Sequence, residues 1–391
     1  MCRVLRIIMV SRAPPAFCGI AEYASMLLEA LMKKHGFEGV FVSTHVVEGV
    51  DEYTEPYSGA EVKQCFYEDG GYRGILGCVA LLDPGPDTVI HIQHEYSIFR
   101  QGEEFVEMLE RLRRLADEKG AGIVVTFHTV AHPIIHPDRV ELQLEVGRLA
   151  DAVIVHSKLM EYELIVQGVD AEKIHLIPHG TLLNRFLGRS KERLLERLGL
   201  DQGLAKHRLI TTPGFIRPNK GLTTLLRAFQ IVWHEEPGTR LILIGSPQGA
   251  GTRYLEAVKP LLSSSEGIVF LNRFLRRDEM LALLAAVDIA VFPYVVEKFY
   301  AVSGALHMAM GSRRPSVCTR VAKLVECNEL APEVSVPAGK YTKVAEKILA
   351  LLRDNEFAER IAEKLWSYAQ QTSWERVAEK HRELYESILR G

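Results

Sequence analysis

The segment best suited to bind a ligand is GFIRPNKG, which begins at Gly214 and ends at Gly221. It follows a strand-like apolar run and precedes a helical pattern, and Pro218 stiffens the turn between Arg217 and Lys220. Arg can bind phosphate oxygens through two parallel hydrogen bonds, Lys adds a point charge, and the first N–H groups of a helix favour anions. The segment therefore predicts a diphosphate site. The alternative is an exposed basic turn with surface ion pairs.

A second segment, residues 292–307, also follows a buried strand-like run. Glu297 supplies a carboxylate that can accept hydrogen bonds from sugar hydroxyls, and the N–H groups around Ser303 and Gly304 can meet a phosphate. His307 lies in the helical stretch that follows. The alternative is a solvated loop glutamate followed by a serine that only caps a helix.

Single residues mark loops in the first half of the chain. Gly19 precedes a helical pattern, where a glycine lets the backbone approach an anion; a plain turn is the alternative. His128 ends a strand-like run and can bind a sugar hydroxyl or shuttle a proton, or else be satisfied by nearby backbone. His91 and His94 are three residues apart on an extended strand, so they point to different faces and we expect no metal there.

Strand-length apolar runs alternate with amphipathic helical patterns, and these elements must position the residues above. Most runs are apolar throughout, as in parallel strands that are covered on both faces. The strand–helix–strand repetition predicts an α/β fold with two doubly wound, Rossmann-like sheets. The predicted strands are residues 4–10, 40–44, 88–93, 123–127, 152–156 and 174–177, then 208–215, 241–244, 268–271, 289–293 and 316–318.

The pattern restarts after a charged helical stretch and a polar connector that end at residue 207. We therefore predict a first domain at residues 1–188, a second at residues 189–370 and a closing helical segment at residues 371–391. Ligands of open α/β sheets bind outside the carboxyl ends of the strands. Two such domains that face a central cleft would gather the loop residues named above around one site.

Composition excludes several classes of function. The net charge is −3, which gives no basic excess for nucleic-acid binding. The six cysteines, Cys2 among them, show no CxxC or CxxH spacing, so we expect no zinc site and favour a reducing, cytoplasmic location. No D-x-D sequence offers carboxylates for Mg²⁺. The apolar run at residues 4–10 is too short for a signal peptide, and no run of about 18 uninterrupted apolar residues could span a membrane.

In their order along the chain, these segments resemble the family 4 (group 1) retaining glycosyltransferases of the GT-B fold. The resemblance covers nearly the whole chain, and its closing helix at Ser373-Trp374 is similar to the family's segment that crosses back onto the first domain. The pieces that carry the resemblance are the Gly19 loop, FHT at 127–129, IPHG at 177–180, Arg217…Lys220-Gly221, NRF at 272–274, PY at 293–294 and VSG at 302–304.

The resemblance implies an enzyme that moves a hexose from a nucleotide-diphospho-sugar to a sugar, lipid or small-molecule acceptor, with retention and without a metal. The first domain would bind the acceptor and the second the donor, with GDP-mannose or UDP-glucose suggested as donors and no further cofactor. Arg217 and Lys220 would bind the diphosphate beside Gly214. Gly19 would approach the donor phosphate or the acceptor, and His128 would contact the transferred sugar.

The chain departs from the family in the second segment. Glu297 would match the first carboxylate of the family's E-x7-E pattern, which holds donor-sugar hydroxyls. The second glutamate, usually the ribose ligand, has no counterpart, because its position falls on Met308. The neighbouring His307 is a candidate substitute. The identity of the sugar-binding carboxylate therefore stays open.

Three alternatives remain open at this stage. A sugar-nucleotide epimerase or a sugar phosphorylase would use the same fold, and a catalytically degenerate sugar-nucleotide-binding protein would fit the missing second glutamate and the basic GSRR at 311–314. Peripheral contact with the inner face of a membrane would use the basic residues at 33–34 and 111–114, although neighbouring acidic residues favour solvated helix faces there. The sequence does not predict the oligomeric state.

Overall fold

The computed structural model describes residues 4–295 and 297–390, apart from the side chain of Ser264. The chain forms two compact units. Unit 1 contains the chain up to Gly180 together with Lys298–Val302 and the segment that begins at Trp374. Unit 2 contains Thr181–Glu297 and Ser303–Ser373. The first division lies before the predicted boundary at residue 188, and the assignment of acceptor and donor to these domains stays a prediction.

Unit 1 is built on an eight-stranded sheet in the order β3-β4-β2-β1-β5-β6-β8-β9, in which only the pairing of β3 with β4 is antiparallel. Every residue of β5 is buried, as expected for a central parallel strand, although Thr88, His91, Gln93 and His94 interrupt its apolar residues. The strands are β1 (Arg6–Val10), β2 (Glu38–Thr44), β3 (Glu52–Thr54), β4 (Glu61–Phe66), β5 (Thr88–His94), β6 (Gly122–Phe127), β7 (Thr129–Ala131), β8 (Ala152–Val155) and β9 (Ile174–Leu176).

Helices cover this sheet and bury their apolar faces against it, which forms the core of unit 1. The helices of this part of the chain are α1 (Gly19–His35), α2 (Arg73–Leu81), α3 (Gly102–Lys119), α4 (Val140–Leu149) and α5 (Lys158–Gln167). Among helices of the described residues, none is both long and apolar enough to cross a membrane.

Unit 2 has a six-stranded parallel sheet in the order β12-β11-β10-β13-β15-β16. In this doubly wound order the direction of winding reverses between β10 and β13, and ligands bind at such a switch point. The strands of this part of the chain are β10 (Arg208–Thr211), β11 (Thr239–Ile244), β12 (Ile268–Leu271), β13 (Ile289–Phe292), β14 (Phe299–Ala301), β15 (Ser316–Thr319) and β16 (Ser335–Val336). Of these, β14 belongs to unit 1, where it pairs antiparallel with β7.

The remaining helices are α6 (Lys191–Arg197), α7 (Leu222–Glu235), α8 (Gly251–Ser264), α9 (Arg277–Ala286), α10 (Gly304–Met310), α11 (Val325–Leu330), α12 (Tyr341–Arg353), α13 (Asn355–Gln371) and α14 (Trp374–Arg390). The last of them belongs to unit 1, where it packs against α1. It begins directly after Ser373, as the sequence predicts.

The predicted α/β fold with two parallel sheets is confirmed, with errors at strand ends and edges. The predicted strand at residues 208–215 is too long. It ends at Thr211, because Pro213 lacks an N–H and Gly214 turns the chain with φ of 112°. The edge strand β3, its neighbour β4 and the short β7, β14 and β16 were not predicted.

The cysteines correct a second expectation. Disulfides join Cys65 of β4 to Cys78 of α2, and Cys318 of β15 to Cys327 of α11. The expectation of reduced thiols is therefore wrong for these four residues, because sequence spacing does not reveal which thiols the fold brings together. Cys18 is a buried free thiol, and Cys2 lies outside the described residues.

Candidate functional site

The predicted phosphate segment lies at the switch point of the unit 2 sheet, between the carboxyl ends of β10 and β13. Residues Pro218–Lys220 form a single 3-10 turn, and Gly221 has φ of 66°. A Cβ at Gly221 would lie 1.8 Å from the carbonyl oxygen of Pro293, just beyond β13. Only glycine allows both this left-handed conformation and this close approach, so the GxxxxxxG spacing reflects a packing requirement.

A second glycine-rich loop, which follows β11, supports the phosphate segment. Its Ser246 carbonyl accepts a 2.9 Å hydrogen bond from the N–H of Ile216. A Cβ at Gly245 would lie 2.5 Å from the carbonyl oxygen of Gly214, and one at Gly251 would lie 2.0 Å from that of Ile216. This loop was not predicted, although the run GSPQGAG directly after a predicted strand is a recognisable signal for it.

Lys220 is the more enclosed of the two predicted cations. Its ammonium lies 3.9 Å from the ring centroid of Tyr294 and donates a hydrogen bond to the phenol oxygen. Burial lowers the pKa of Lys220 to about 8, and the neighbouring Arg217 adds to this effect, whereas Glu297 opposes it. Tyr294 in turn lies within hydrogen-bond distance of Ser303, 3.2 Å between their oxygens.

Arg217 is exposed, and its guanidinium pairs with Gln248 of the second glycine-rich loop. Gly214 lies beside the start of α10, since a Cβ there would be 4.0 Å from that of Ala305. Ser303 caps this helix by accepting a hydrogen bond from the N–H of Leu306. The fold therefore brings both predicted segments of unit 2 together.

Glu297 lies at this edge as an anchored carboxylate. Its Oε1 accepts a hydrogen bond from the side-chain amide of Asn219, which stands between the two predicted cations in the chain. Its Oε2 lies 3.2 Å from the ammonium of Lys323, a residue that the sequence analysis did not single out. Lys323 follows β15 and is one-quarter exposed.

His307 lies in the interior of unit 2 with only 1% of its side chain exposed. Its Nδ1 lies 2.7 Å from the hydroxyl oxygen of Thr181, and its Nε2 lies 3.5 Å from Glu326. The Glu326 carboxylate is also buried. The predicted ribose contact of His307 would therefore require this ring to become accessible.

In unit 1, Gly19 forms the first residue of α1 without a left-handed backbone, and a Cβ there would meet nothing within 4 Å. The space in front of it is open, as the predicted approach of a ligand requires. No neighbour in unit 1 demands glycine at this position, unlike at Gly221.

His128 is placed differently. Its ring is 7% exposed, lies 2.8 Å from the amide oxygen of Gln93 and packs edge-on against Tyr23 at 4.6 Å. Burial, with other histidines nearby, lowers the pKa of His128 well below its usual value. The ring is therefore neutral near pH 7. Six histidines are buried in the described part of unit 1: His91, His94, His128, His156, His179 and His381.

No group of three or more His, Cys, Asp or Glu side chains suited to hold a metal ion occurs in the described part of the chain. This observation does not test the predicted metal independence of the reaction.

Two family models match the chain in tandem. The one described as Glycosyltransferase Family 4 matches residues 18–185, and the one described as Glycosyl transferases group 1 matches residues 207–354. The first match begins after β1 and includes β2 to β9, the second includes every strand of the unit 2 sheet, and together the two matches cover most of the chain.

Relatives with similar sequences are named as glycosyltransferases. The D-inositol 3-phosphate glycosyltransferase of Mycobacteroides abscessus is 26% identical over 266 residues, which are 64% of this chain and 54% of that protein. The uncharacterized glycosyltransferase YqgM of Bacillus subtilis is 26% identical over 232 residues, 58% of each chain. The chain thus matches little more than half the length of these relatives.

Solved structures show the same fold at low identity. The sucrose-phosphate synthase of Thermosynechococcus elongatus has a TM-score of 0.76 and 19% identity, with 98% of this chain and 99% of that chain covered. HepE of Anabaena in complex with UDP has a TM-score of 0.74 and 15% identity, with 98% and 100% covered. These likenesses identify the GT-B fold.

Proposed function

This chain belongs to the family 4 (group 1) glycosyltransferases of the GT-B fold, and from that premise we propose that it transfers a hexose from a nucleotide-diphospho-sugar to an acceptor. One observation carries the proposal. A loop with two cations, Arg217 and Lys220, is held by glycine contacts at the switch point of the unit 2 sheet, next to Tyr294 and Ser303. Cations fixed at such a point suit a diphosphate.

The proposed reaction retains the anomeric configuration. The bond between C1 of the sugar and the diphosphate breaks, the acceptor oxygen bonds to C1 on the same face, and the acceptor proton passes to a diphosphate oxygen. Arg217 and Lys220 would stabilise the charge that grows on the leaving diphosphate more than they stabilise the bound donor. Burial lowers the pKa of Lys220 to about 8. An incoming anion would raise this pKa again, because a nearby negative charge favours the protonated lysine.

The remaining predicted contacts belong to the same proposal. Glu297 would hold donor-sugar hydroxyls, His128 would contact the transferred sugar, and Gly19 would approach the donor phosphate or the acceptor. HepE has been solved with UDP and with UDP-glucose, which makes UDP-glucose the first donor to test, followed by GDP-mannose. The acceptor would be a sugar, a lipid or a small molecule.

We propose a reaction that needs no metal. We also propose a cytoplasmic location, although the disulfides Cys65–Cys78 and Cys318–Cys327 remove the argument from reduced thiols on which the sequence prediction partly rested. The basic residues considered for membrane contact have acidic partners within unit 1: Lys33 pairs with Glu29, Lys34 with Glu375, and Arg113 with Asp117 and Asp151. This pairing favours solvated helix faces over an anionic membrane surface. Transfer that is unchanged in excess EDTA would support metal independence, and a loss that Mg²⁺ restores would refute it.

The direct test combines nucleotide binding with product analysis. We expect UDP or GDP to raise the melting temperature, and Arg217→Ala and Lys220→Met each to lower sugar transfer at least 100-fold while the unliganded melting temperature stays within a few degrees of wild type. The exposed Lys206→Ala is the matched control and should transfer normally. Wild-type activity in both site variants would contradict the assignment.

Product analysis separates the alternatives. An isomerised sugar nucleotide formed without acceptor would indicate an epimerase, and sugar phosphate formed with free phosphate would indicate a phosphorylase. Nucleotide binding without transfer or donor hydrolysis, across a panel of donors and acceptors, would indicate a degenerate binding protein.

A further inference from the structure

Lys323 is the third cation at the switch-point edge of unit 2, and the sequence pattern gives it no role. It lies in the short 3-10 turn Ala322–Leu324, which directly follows β15. Its ammonium lies 3.2 Å from Oε2 and 3.4 Å from Oε1 of Glu297, and both side chains are largely buried, at 24% and 19% exposure. A lysine held this way has few accessible positions, unlike a lysine on an open helix face.

The carboxylate that holds Lys323 is itself fixed to the phosphate segment. Asn219 donates its side-chain N–H to Oε1 of Glu297, and its backbone carbonyl accepts a 3.0 Å hydrogen bond from the N–H of Val295. Asn219 stands between Pro218 and Lys220, so Glu297 links Lys323 to the same turn that carries the other cations. The amide oxygen of Asn219 is buried and has no partner among the described residues, which leaves an acceptor for a ligand hydroxyl.

The charges of this cluster suit a diphosphate. Arg217, Lys220 and Lys323 stand beside the single carboxylate Glu297, which leaves two positive charges in excess. The diphosphate of a sugar nucleotide carries two negative charges and gains a third when the sugar leaves. An ammonium has three N–H donors, so Lys323 can keep its bond to Glu297 and still offer donors to a phosphate.

We propose that Lys323 is a third diphosphate-binding residue of this site, and that Glu297 and Asn219 position its ammonium toward the terminal phosphate. The inference rests on the proposed function of the site and adds a residue to it. Glu297 keeps lone pairs for sugar hydroxyls, because a carboxylate offers about four acceptor positions. Its pairing with Lys323 thus couples the sugar end of the donor to the phosphate end.

The terminal phosphate can be isolated by comparing each nucleoside diphosphate with its monophosphate. The experiment measures dissociation constants of UDP and UMP, and of GDP and GMP, for the wild type and the variants, by calorimetry at constant ionic strength. We expect Lys323→Met and Lys323→Gln to lower the preference for the diphosphate about tenfold. Lys323→Arg should stay within threefold of wild type, and Glu297→Gln should lower the preference less than Lys323→Met does.

The controls keep the outcomes distinct. Lys340→Met removes an exposed lysine of the same unit and should leave the preference unchanged. Two neutral replacements of Lys323 are included because a single folded variant is enough to test the proposal. The melting temperature without ligand shows whether each variant is folded. If both neutral variants keep the wild-type preference while Arg217→Ala and Lys220→Met lose it, Lys323 has no phosphate role and the proposed function stands. If the wild type itself binds none of the four nucleotides, the proposed function fails as well.

Discussion

In unit 2 the loops after β10 and β15 carry cations that are exposed or partly exposed, whereas in unit 1 the ends of β5 and β6 carry histidines that are almost fully enclosed. Lys220 touches Tyr294 but stays partly exposed, and Arg217 on the same loop is exposed. His128 is surrounded by Gln93, Tyr23 and other rings. Side chains just after a parallel strand can therefore be exposed, as a ligand site requires, or enclosed in the core. The packing of the neighbouring side chains decides which.

The two regions also differ in the ionisation state of their side chains. The unit 2 edge holds ionised groups in pairs, whereas burial lowers the pKa of His91 and His128 in unit 1 and keeps both rings neutral. In His91, for example, Nδ1 lies 2.7 Å from the hydroxyl oxygen of Tyr385 in α14, and the side chain is fully buried in the sheet. One region should respond to anionic ligands, and the other to acid. Three substitutions test this contrast.

Gly221→Ala should have the largest effect, because it breaks the backbone contact on which the unit 2 loop depends. The new Cβ would lie 1.8 Å from the Pro293 oxygen, and the residue would keep a left-handed backbone. We expect a loss of about 3 kcal/mol or more in the free energy of unfolding, measured by chemical denaturation. Gly339→Ala is the matched control, since Gly339 has φ of 75° with nothing within 4 Å, and should cost about 1–2 kcal/mol. Equal losses in the two variants would refute the packing argument.

His94→Phe tests the neutral interior of unit 1 and should be stabilising. Neither ring nitrogen of His94 has a hydrogen-bond partner within the described residues, and burial lowers its pKa to about 3. Removing a buried, unpaired polar group should raise the free energy of unfolding at pH 7.5 by about 1–2 kcal/mol. The ring of Phe should fit, because the site is lined by aromatic side chains: Tyr96, Phe99, Phe105 and Phe127.

The same substitution should change the response to acid. The folded-state pKa of His94 lies below the unfolded value of about 6.5, so its neutral form contributes stability that is complete above pH 6.5 and is lost as the pH falls toward about 3. Between pH 6 and 4 the wild type should lose up to about 1.4 kcal/mol per pH unit more than His94→Phe does. The exposed His234→Gln should resemble the wild type. An unchanged slope in His94→Phe would show that this ring is not kept neutral.

Tyr294→Phe should have the smallest effect, on ligand binding rather than on folding. The ring stays beneath the ammonium of Lys220, while the oxygen that contacts Lys220 and Ser303 is lost. We expect the dissociation constant of UDP to rise about two- to tenfold, the range that corresponds to a single hydrogen bond. Tyr341→Phe, in the same unit, is the control. A larger loss would mean that the hydroxyl itself contacts the ligand.

Elements with a strong local pattern could be predicted from the sequence, and features that depend on distant contacts could not. The strand Ile268–Leu271 has the predicted bounds. The strand Glu61–Phe66 places buried residues at every second position and lacks a continuous apolar run, so no buried-strand pattern marks it. The short pairing of β7 with β14 joins residues 129–131 to residues 299–301, a separation that no local pattern reveals.

The candidate site shows the same division. Arg217, Lys220 and Glu297 were identifiable because their loops follow apolar strands. Lys323 was not, because only the sheet order brings the end of β15 beside the phosphate segment. The enclosure of His307 depends on Thr181 and Glu326, which are far from it in the chain.

Unit 1 is discontinuous in the chain, because β14 and α14 come from segments far from its other strands and helices. A gene fragment that ends at Gly180 would lack the partner strand of β7 and the tyrosine that contacts His91. Recombination between relatives at that single point would produce hybrids with mismatched packing inside unit 1. Exchange of an intact unit requires three matched segments, so these two units should be inherited together rather than shuffled as separate modules.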